Sequence, residues 1–347
     1  MRQIPFQPAA RLTPLALPAV LALLAFGAGC GGDPAPVAGV EVTPKTVRLG
    51  FPEVRDLSLS WSPSVALPEG GGEGGPGQPT VFVHLLDERD EVVRTFDHPF
   101  PQRWQAGVPV RYDLKLYQSA LGPPLPAGRY RLTLGLYQTG QPGEDAERFA
   151  LDGLGEAVDR REYQIAEVEV PEQGPNDPRI AFSSDSWLEV EPGGDRQILG
   201  RRWMGPGPAP PALRFQGIAA PGTVWMLIRI PEGKAAGERL ELTGGSNTPS
   251  VLVSGTCGSV ETNLTGPGDH EVERPVEELP QGGSCDVVLK PSFRLLVAGS
   301  RDRSASLENI AWAPGAPGAS GTAAPAGADP GQGPGTTVTE PAPPEEP

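Results

Sequence analysis

VPVRYDLKL, residues 108–116, has the clearest alternation of apolar and polar side chains in this sequence. Its apolar or aromatic positions are Val108, Val110, Tyr112, Leu114 and Leu116. A period of two places alternate side chains on opposite faces of an extended chain. The stretch therefore predicts a half-buried β-strand, which needs neighbouring strands to pair with.

Short apolar stretches on both sides of it supply such neighbours. They are residues 57–61, 81–86, 130–136 and 163–170. In the last of these the apolar positions shift phase between Ile165 and Val168, which predicts a β-bulge. Together the stretches predict an N-terminal β-sandwich over residues 39–171.

A second series of short strands follows a linker at residues 172–178. The predicted strands are residues 187–191, 213–215, 224–230, 240–242, 251–253, 287–289 and 307–312. Glycine and proline turns separate them at the spacing of a sandwich, which predicts a second one over residues 179–313. Residues 314–347 contain too few apolar side chains to offset the entropy cost of ordering the chain. They are therefore predicted to form a disordered acidic tail. The predicted fold class is thus all-β, with two Ig-like or jelly-roll sandwiches.

The N-terminal residues have a different pattern. LALPAVLALLAFGAGC, residues 15–30, places an apolar run after Arg2 and Arg11 and ends in small residues and Cys30. The run is shorter than the roughly 20 residues that a helix needs to span a bilayer, so a membrane span is disfavoured. It resembles the signal peptide of bacterial lipoproteins, with ordinary secretion as the alternative.

The lipoprotein resemblance implies an envelope location. Residues 1–29 would be removed, Cys30 would carry acyl chains into a lipid bilayer, and residues 30–38 would form a tether. Glycines rather than aspartate follow the cysteine, which in this family implies the outer membrane if the cell is Gram-negative. If Cys30 is acylated, Cys257 and Cys285 remain as an even pair in an oxidising compartment, where a disulfide is favoured over a metal pair.

Net charge restricts the partners. The chain carries a formal charge of −15 at pH 7, which repels phosphate backbones and disfavours nucleic acid as a ligand.

Four stretches of the first half resemble a known sandwich domain. FVHLLDERDEVV, DHPFPQRW, LPAGRYRLTLGLYQTG and ERFAL are similar to the domain found beside the membrane parts of mannosyltransferase-type bacterial glycosyltransferases. The similarity covers about residues 36–170 and implies the fold. The glycine-rich insertion at residues 68–79 and the lack of a membrane-embedded catalytic module depart from that family, so no transferase activity is implied.

Pieces of the second half resemble a carbohydrate-binding jelly roll. They are SWLEVE, RRWM, RIPEG and SRDRSASLENIAW. This resemblance implies an exposed aromatic ring that packs against a sugar. The candidates are Trp203 beside Arg202, then Trp187 and Trp104, each with a buried alternative. Trp225 and Trp312 lie in apolar strands and are predicted to be core.

No catalytic set emerges from the sequence. His84, His98 and His270 have no zinc-ligand spacing, and no nucleophile elbow, phosphate loop or calcium loop is present. Glu189 and Glu191 share a strand face and could act as paired carboxylates, although solvent-facing charges are the simpler interpretation. Residues 301–303 (RDR) could recognise an anionic sugar or form an internal brace.

The sequence therefore predicts a non-catalytic, membrane-anchored envelope protein without cofactor or metal. Its ligand class is a glycan or another envelope protein. The alternatives are an envelope carbohydrate-active enzyme with unrecognised carboxylates, and a purely structural spacer.

Overall fold

The computed structural model describes most of the chain between residues 34 and 315. The described residues are 34–68, 78–138, 146–192, 199–243, 245–280 and 282–315, with the backbone alone of residues 71–72 and 75–76. The predicted signal peptide, Cys30 and the predicted tail from residue 316 onward lie outside them. Contacts group the described residues from Pro36 onward into one compact unit.

Every regular element in the described part of the chain is a β-strand, which confirms the all-β class. Within these residues no helix is long and apolar enough to cross a membrane. The strands of the first half are β1 Ala38–Thr43, β2 Thr46–Arg48, β3 Val54–Pro63, β4 Gly71–Gly72, β5 Gly75–Pro76, β6 Thr80–Leu86, β7 Val92–Thr95, β8 His98–Pro99, β9 Val110–Tyr117, β10 Gly128–Gln138, β11 Glu147–Phe149, β12 Leu151–Asp152, β13 Ala157–Asp159 and β14 Glu162–Val170. The strands of the second half are β15 Arg179–Phe182, β16 Trp187–Pro192, β17 Gly200–Met204, β18 Ala212–Gln216, β19 Gly222–Ile230, β20 Glu238–Leu242, β21 Ser250–Ser254, β22 Thr262–Thr265, β23 Gly268–Val276, β24 Ser284–Pro291, β25 Phe293–Val297 and β26 Ser306–Pro314.

The first sandwich consists of a four-stranded and an eight-stranded sheet. The smaller sheet has the order β12-β1-β3-β9, and the larger has β13-β14-β10-β6-β7 with β2, β8 and β11 attached at its margins. Their inward-facing side chains share one hydrophobic core. At its centre the fully buried Trp61 contacts the rings of Phe100 and Trp104 at centroid distances of 5.5 Å and 6.3 Å.

The strand predicted at residues 108–116 is β9, and its phase is as expected. Val110 and Leu116 are buried and the intervening Arg111 is exposed. The strand begins only at Val110, and Val108 lies outside it and is 39% exposed. Pro109 lacks the N–H that a ladder requires, which explains the later start.

The predicted bulge in β14 is confirmed. Leu132 of β10 pairs with Ala166, and the next residue, Thr133, pairs with Gln164, so Ile165 is the extra residue. Both Ile165 and Ala166 are buried there. The bulge therefore restores the inward phase of the strand after its shift.

The second sandwich consists of two five-stranded sheets. Their orders are β15-β18-β24-β21-β22 and β16-β17-β26-β19-β23, and β20 pairs with β25 beside them. All seven strands predicted in this half are present, and the sheets enclose a second hydrophobic core. Cys257 and Cys285 form a disulfide within this half of the chain, with Cα atoms 4.9 Å apart, as predicted.

The two sandwiches are in direct contact along a surface that we call the joint. The ring of Tyr117 packs 5.0 Å from that of Trp225. Leu121, which follows β9, is buried in the second hydrophobic core. Lys115 Nζ pairs with Glu273 at 2.7 Å, which adds a polar contact at the edge of this apolar surface.

Backbone pairing also crosses the joint. The amide of Trp312 donates to the carbonyl of Pro52 at 2.8 Å, and Glu53 forms a parallel bridge with Trp312. The amide of Ala120 donates to Asn309 Oδ1 at 3.4 Å. Because these bonds and the apolar contacts involve several elements of each sandwich, the joint fixes the position of the residues beside it.

Candidate functional site

Trp203, the leading candidate for a sugar platform, is buried. Trp203 is 5% exposed, and the guanidinium carbons of Arg303 and Arg201 lie 4.0 Å and 5.7 Å from the centroid of its ring. Its indole Nε1 donates to Glu191 Oε2 at 2.7 Å. The expected exposed face is therefore wrong, because Arg303 and Arg201 cover the ring.

Arg303 is the centre of an internal brace rather than a free anion receptor. Its guanidinium pairs with Glu191 at 3.2 Å and with Glu238 at 3.3 Å. Glu191 thereby holds both Trp203 and Arg303, while Glu189 is exposed on the same strand. This engagement of Glu191 weakens the interpretation of the two glutamates as a catalytic pair.

Trp187 and Arg202 also belong to a packed cluster. Trp187 is 8% exposed, and its Nε1 donates to the carbonyl of Ala212 at 2.9 Å. Arg202 lies 4.1 Å from the ring of Phe182 and donates to the carbonyl of Leu188. Burial lowers the pKa of Arg202. As at Trp203, the expectation of an exposed ring at Trp187 is wrong.

The other tryptophans are also internal. Trp104 is 7% exposed and donates its indole N–H to the carbonyl of Val65 at 2.9 Å. Trp225 and Trp312 are buried, as predicted for core residues. None of the tryptophans therefore presents the exposed aromatic face that a sugar platform requires.

His84 belongs to a polar cluster on the outer face of the large sheet. Its Nδ1 lies 3.1 Å from Glu162 Oε1, and Thr133 Oγ1 donates to the same oxygen at 2.6 Å. Its Nε2 lies 3.8 Å from Asp97. Within the described residues no group of three or more histidine, cysteine, aspartate and glutamate side chains is placed to hold a metal ion.

A cleft beside the joint is the most distinct candidate for a binding site. Phe51, which lies between β2 and β3 and is half-buried, lines two neighbouring cavities of about 270 Å³ and 450 Å³. Gln173 of the segment between the sandwiches also lines both. We call these two cavities the joint cleft. The first sandwich contributes Arg48 to it and the second contributes Arg179.

Hydrogen bonds fix the walls of the joint cleft. The buried Gln118 donates to the carbonyl of Leu49 at 2.9 Å and accepts from the amide of Leu125 at 3.1 Å. On the opposite side, Asp177 accepts from the amide of Gly174 at 2.6 Å. The cleft therefore combines a fixed backbone with an accessible aromatic ring.

The sequence contains little that could have identified this cleft. Phe51 lies outside the strands, with neither alternation nor a motif around it. Apart from Arg48, Gly50 and Glu53, its neighbours in the cleft are more than 65 positions away in the sequence, and those of the second sandwich approach it only after the two sandwiches have packed together. A local pattern cannot report such an arrangement.

Comparisons with known proteins identify no family. No protein-family model matches the chain, and no curated protein sequence matches it. Among solved structures, the native conformation of E. coli alpha-2-macroglobulin is similar over 82% of this chain and 15% of that chain, with a TM-score of 0.20 and 14% identity.

Two structures of Bacteroides uniformis enzymes are also similar. A beta-glucuronidase has a TM-score of 0.18 and 9% identity, and a calcium-binding mutant of beta-glucuronidase 2 has a TM-score of 0.17 and 8% identity. Each comparison covers 79% of this chain and 30% of the other. The chain thus spans less than a third of the length of each of these structures, and TM-scores this low carry no functional argument.

Proposed function

We propose that this chain is a non-catalytic glycan-binding protein of the bacterial cell envelope, held to a membrane by an acylated Cys30. The observation that carries the binding role is the joint cleft, where the half-buried Phe51 lies among polar side chains contributed by both sandwiches. An aromatic ring packs against the C–H-rich face of a sugar, and polar groups around it bind the hydroxyls.

The charges of the cleft favour a neutral sugar. Its lining includes Glu172 and Asp177, both exposed, whereas Glu53 is paired with Arg55 at 2.6 Å. Carboxylates without a cationic partner accept hydrogen bonds from hydroxyl groups and repel anions. Arg48 and Arg179 add donors, one in each of the two cavities that Phe51 lines.

The joint gives the cleft a fixed shape. Because Tyr117 and Trp225 pack together and the amide of Trp312 pairs with Pro52, the wall that carries Phe51 is tied directly to the second sandwich. A site that is already ordered loses less conformational entropy when its ligand binds. The volumes of the two cavities suit small-molecule ligands such as short oligosaccharides.

Replacement of the aromatic ring tests the site. We expect Phe51→Ala to weaken retention on immobilised neutral envelope polysaccharide by roughly tenfold, which corresponds to about 1.4 kcal/mol. The matched control is Phe182→Ala, which removes another half-buried phenylalanine whose ring contacts Arg202 outside the cleft lining. Thermal melting of both variants shows whether each still folds.

Three results would contradict the proposal. Equal retention of Phe51→Ala and the wild type would exclude the joint cleft as the site. Capture of an envelope protein by a wild type that retains no polysaccharide would favour a protein ligand. Release of shortened sugars from the column would favour the enzyme alternative.

The anchor is tested separately. Acyl chains require the thiol of Cys30, and each buried CH₂ contributes about 0.8 kcal/mol to membrane binding. We expect Cys30→Ser to move the protein from the membrane fraction to the soluble or unprocessed fraction. A processed Cys30→Ser chain that still sediments with membranes would overturn the lipid anchor and leave the cleft proposal intact.

A further inference from the structure

A further cavity of about 280 Å³ lies in the second sandwich, apart from the joint cleft. Lys290 of β24 and Arg294 of β25 line it, and residues 205–211 (GPGPAPP) form one of its walls. We call it the basic cavity. Its lining differs in charge from the larger cavity of about 760 Å³ near the disulfide, where Glu273, Glu277 and Glu278 all contribute.

Two of the three cationic side chains that line the basic cavity have no carboxylate partner. The third, Arg303, is held by the glutamates of the internal brace described above. Among the described residues, neither Lys290 nor Arg294 forms an ion pair, although the chain as a whole is strongly acidic. Glu241 is directly opposite Arg294 in the β20–β25 ladder, but it pairs with Arg239 at 2.6 Å. Asp302 is the one carboxylate in the cavity lining, so the two exposed cations exceed the negative charge there.

The wall of the basic cavity is fixed before any ligand arrives. The amide of Gly205 donates to the carbonyl of Ser186 at 2.7 Å, and the Ser186 hydroxyl donates to the carbonyl of Ala209. A Cβ atom at Gly207 would overlap the same hydroxyl, so the loop lies directly against Ser186. Four prolines in seven residues restrict the backbone further.

We propose that the basic cavity binds a sugar-borne oxyanion, either the carboxylate of a uronic acid or the phosphate of a phosphorylated sugar. Lys290 and Arg294 supply charge-assisted hydrogen bonds to the oxyanion, and the guanidinium of Arg294 can bind two oxygens at once. The proline wall offers apolar surface to the sugar ring. This site is separate from the joint cleft and prefers anionic ligands, whereas the joint cleft favours neutral ones, so it goes beyond the proposed function.

Saturation-transfer difference NMR on the full exported chain tests the site with four probes. Galacturonate and glucose 6-phosphate represent the two oxyanions, and galactose and glucose are their neutral counterparts. We expect the wild type to bind at least one charged probe about tenfold more tightly than its neutral counterpart, and to lose this preference as salt screens the charges. Whichever charged probe binds more tightly identifies the source of the oxyanion.

The double variant Lys290→Gln/Arg294→Gln should reduce the affinity for the charged probe by about tenfold or more. The control is Lys45→Gln/Arg129→Gln, which removes two exposed cations from the first sandwich and changes the net charge equally. The charge-preserving variant Lys290→Arg/Arg294→Lys should retain binding. All replaced side chains are exposed, and a thermal melt confirms folding.

Several results would overturn the proposal. They are an unchanged affinity of the double variant, an equal loss in the control variant, and equal binding of neutral and charged probes. Phe51→Ala leaves the basic cavity intact and should bind the charged probe normally. Failure of the joint cleft and failure of the basic cavity are therefore distinguishable in the same set of proteins.

Discussion

Glu162 shows how a buried carboxylate is stabilised in its charged form. It is 6% exposed, and burial alone would raise its pKa. Hydrogen bonds from His84 and Thr133, together with the charges of His84 and Arg148, outweigh burial and lower the pKa. The folded state therefore binds this proton less readily than the unfolded chain does.

The lowered pKa of Glu162 gives stability a definite pH dependence. The stabilisation is fully present above the unfolded pKa of about 4.3 and is lost as the pH falls through the lower folded value. We expect Glu162→Gln to lower the free energy of unfolding at pH 7 by about 1.5–3 kcal/mol and by less at pH 3. Urea titrations at several pH values measure this difference.

Glu167→Gln is the control, because Glu167 is an exposed residue of the same strand. Its free energy of unfolding should follow that of the wild type across the pH range. If Glu162→Gln differed from the wild type by the same amount at pH 3 and pH 7, the carboxylate at this position would not be the source of the pH dependence.

At the residue scale, the sequence predicted the environment of a side chain better than the residues that contact it. Trp225 and Trp312 are buried, as their apolar neighbours in the strand correctly predicted. Trp203 has arginines as neighbours, and an arginine can either accompany a ligand or cover the ring itself. The choice depends on Arg303, a hundred residues away, which no local pattern connects to Trp203.

Among the elements, β23 was the clearest omission from the sequence analysis. Its inward positions are Val272, Arg274 and Val276, so a buried arginine interrupts the apolar period. The guanidinium donates to the carbonyls of Cys257, Val253 and Gly258 at 2.9–3.1 Å. A strand of this kind becomes recognisable only when the acceptors of the buried charge are known.

The same arginine holds the segment that carries the disulfide, which suggests an element-scale prediction. We expect Cys257→Ser to lower the free energy of unfolding by about 2–5 kcal/mol, because the bond closes a loop of 28 residues in the unfolded chain. Arg274 keeps its backbone acceptors, so the native near-UV circular dichroism should persist. Chemical denaturation monitored by tryptophan fluorescence measures the loss.

Reducing agent provides the control for this prediction. It should lower the stability of the wild type to that of Cys257→Ser and leave the variant unchanged, since the variant has no bond to reduce. A wild type that is insensitive to reductant under denaturing conditions would contradict a stabilising role for the disulfide.

For the whole molecule, the joint makes the two sandwiches depend on each other. Trp225 is 5% exposed and packs with Tyr117 and Val54 of the first sandwich. We expect the wild type to unfold in one calorimetric transition. Trp225→Ala should remove about 3–5 kcal/mol of packing at the joint and divide the unfolding into two transitions.

Trp203→Ala is a closely matched control, because Trp203 is also 5% exposed but contacts Arg303 in the internal brace, outside the joint. It should lower the melting temperature and keep a single transition. A single transition in Trp225→Ala, or two in Trp203→Ala, would show that the joint does not couple the sandwiches.

The sequence predicted both sandwiches and could not predict their contact. Side chains of the joint such as Val54, Leu227 and Ala311 occupy ordinary strand positions, and nothing in the alternation distinguishes an outer face that is covered by another sandwich from one that faces solvent. The joint cleft follows from this contact, so it was equally inaccessible to sequence analysis.

Leu121 has a consequence for how the protein is made. It belongs to the loop after β9, yet it is buried in the core of the second sandwich. Synthesis proceeds from the N-terminus, and domains generally fold in that order. In the newly made first half, Leu121 and Tyr117 therefore stay exposed to solvent until the second half has been synthesised. During that interval the exposed apolar surface is prone to aggregation, and a chain truncated after residue 171 would expose it permanently.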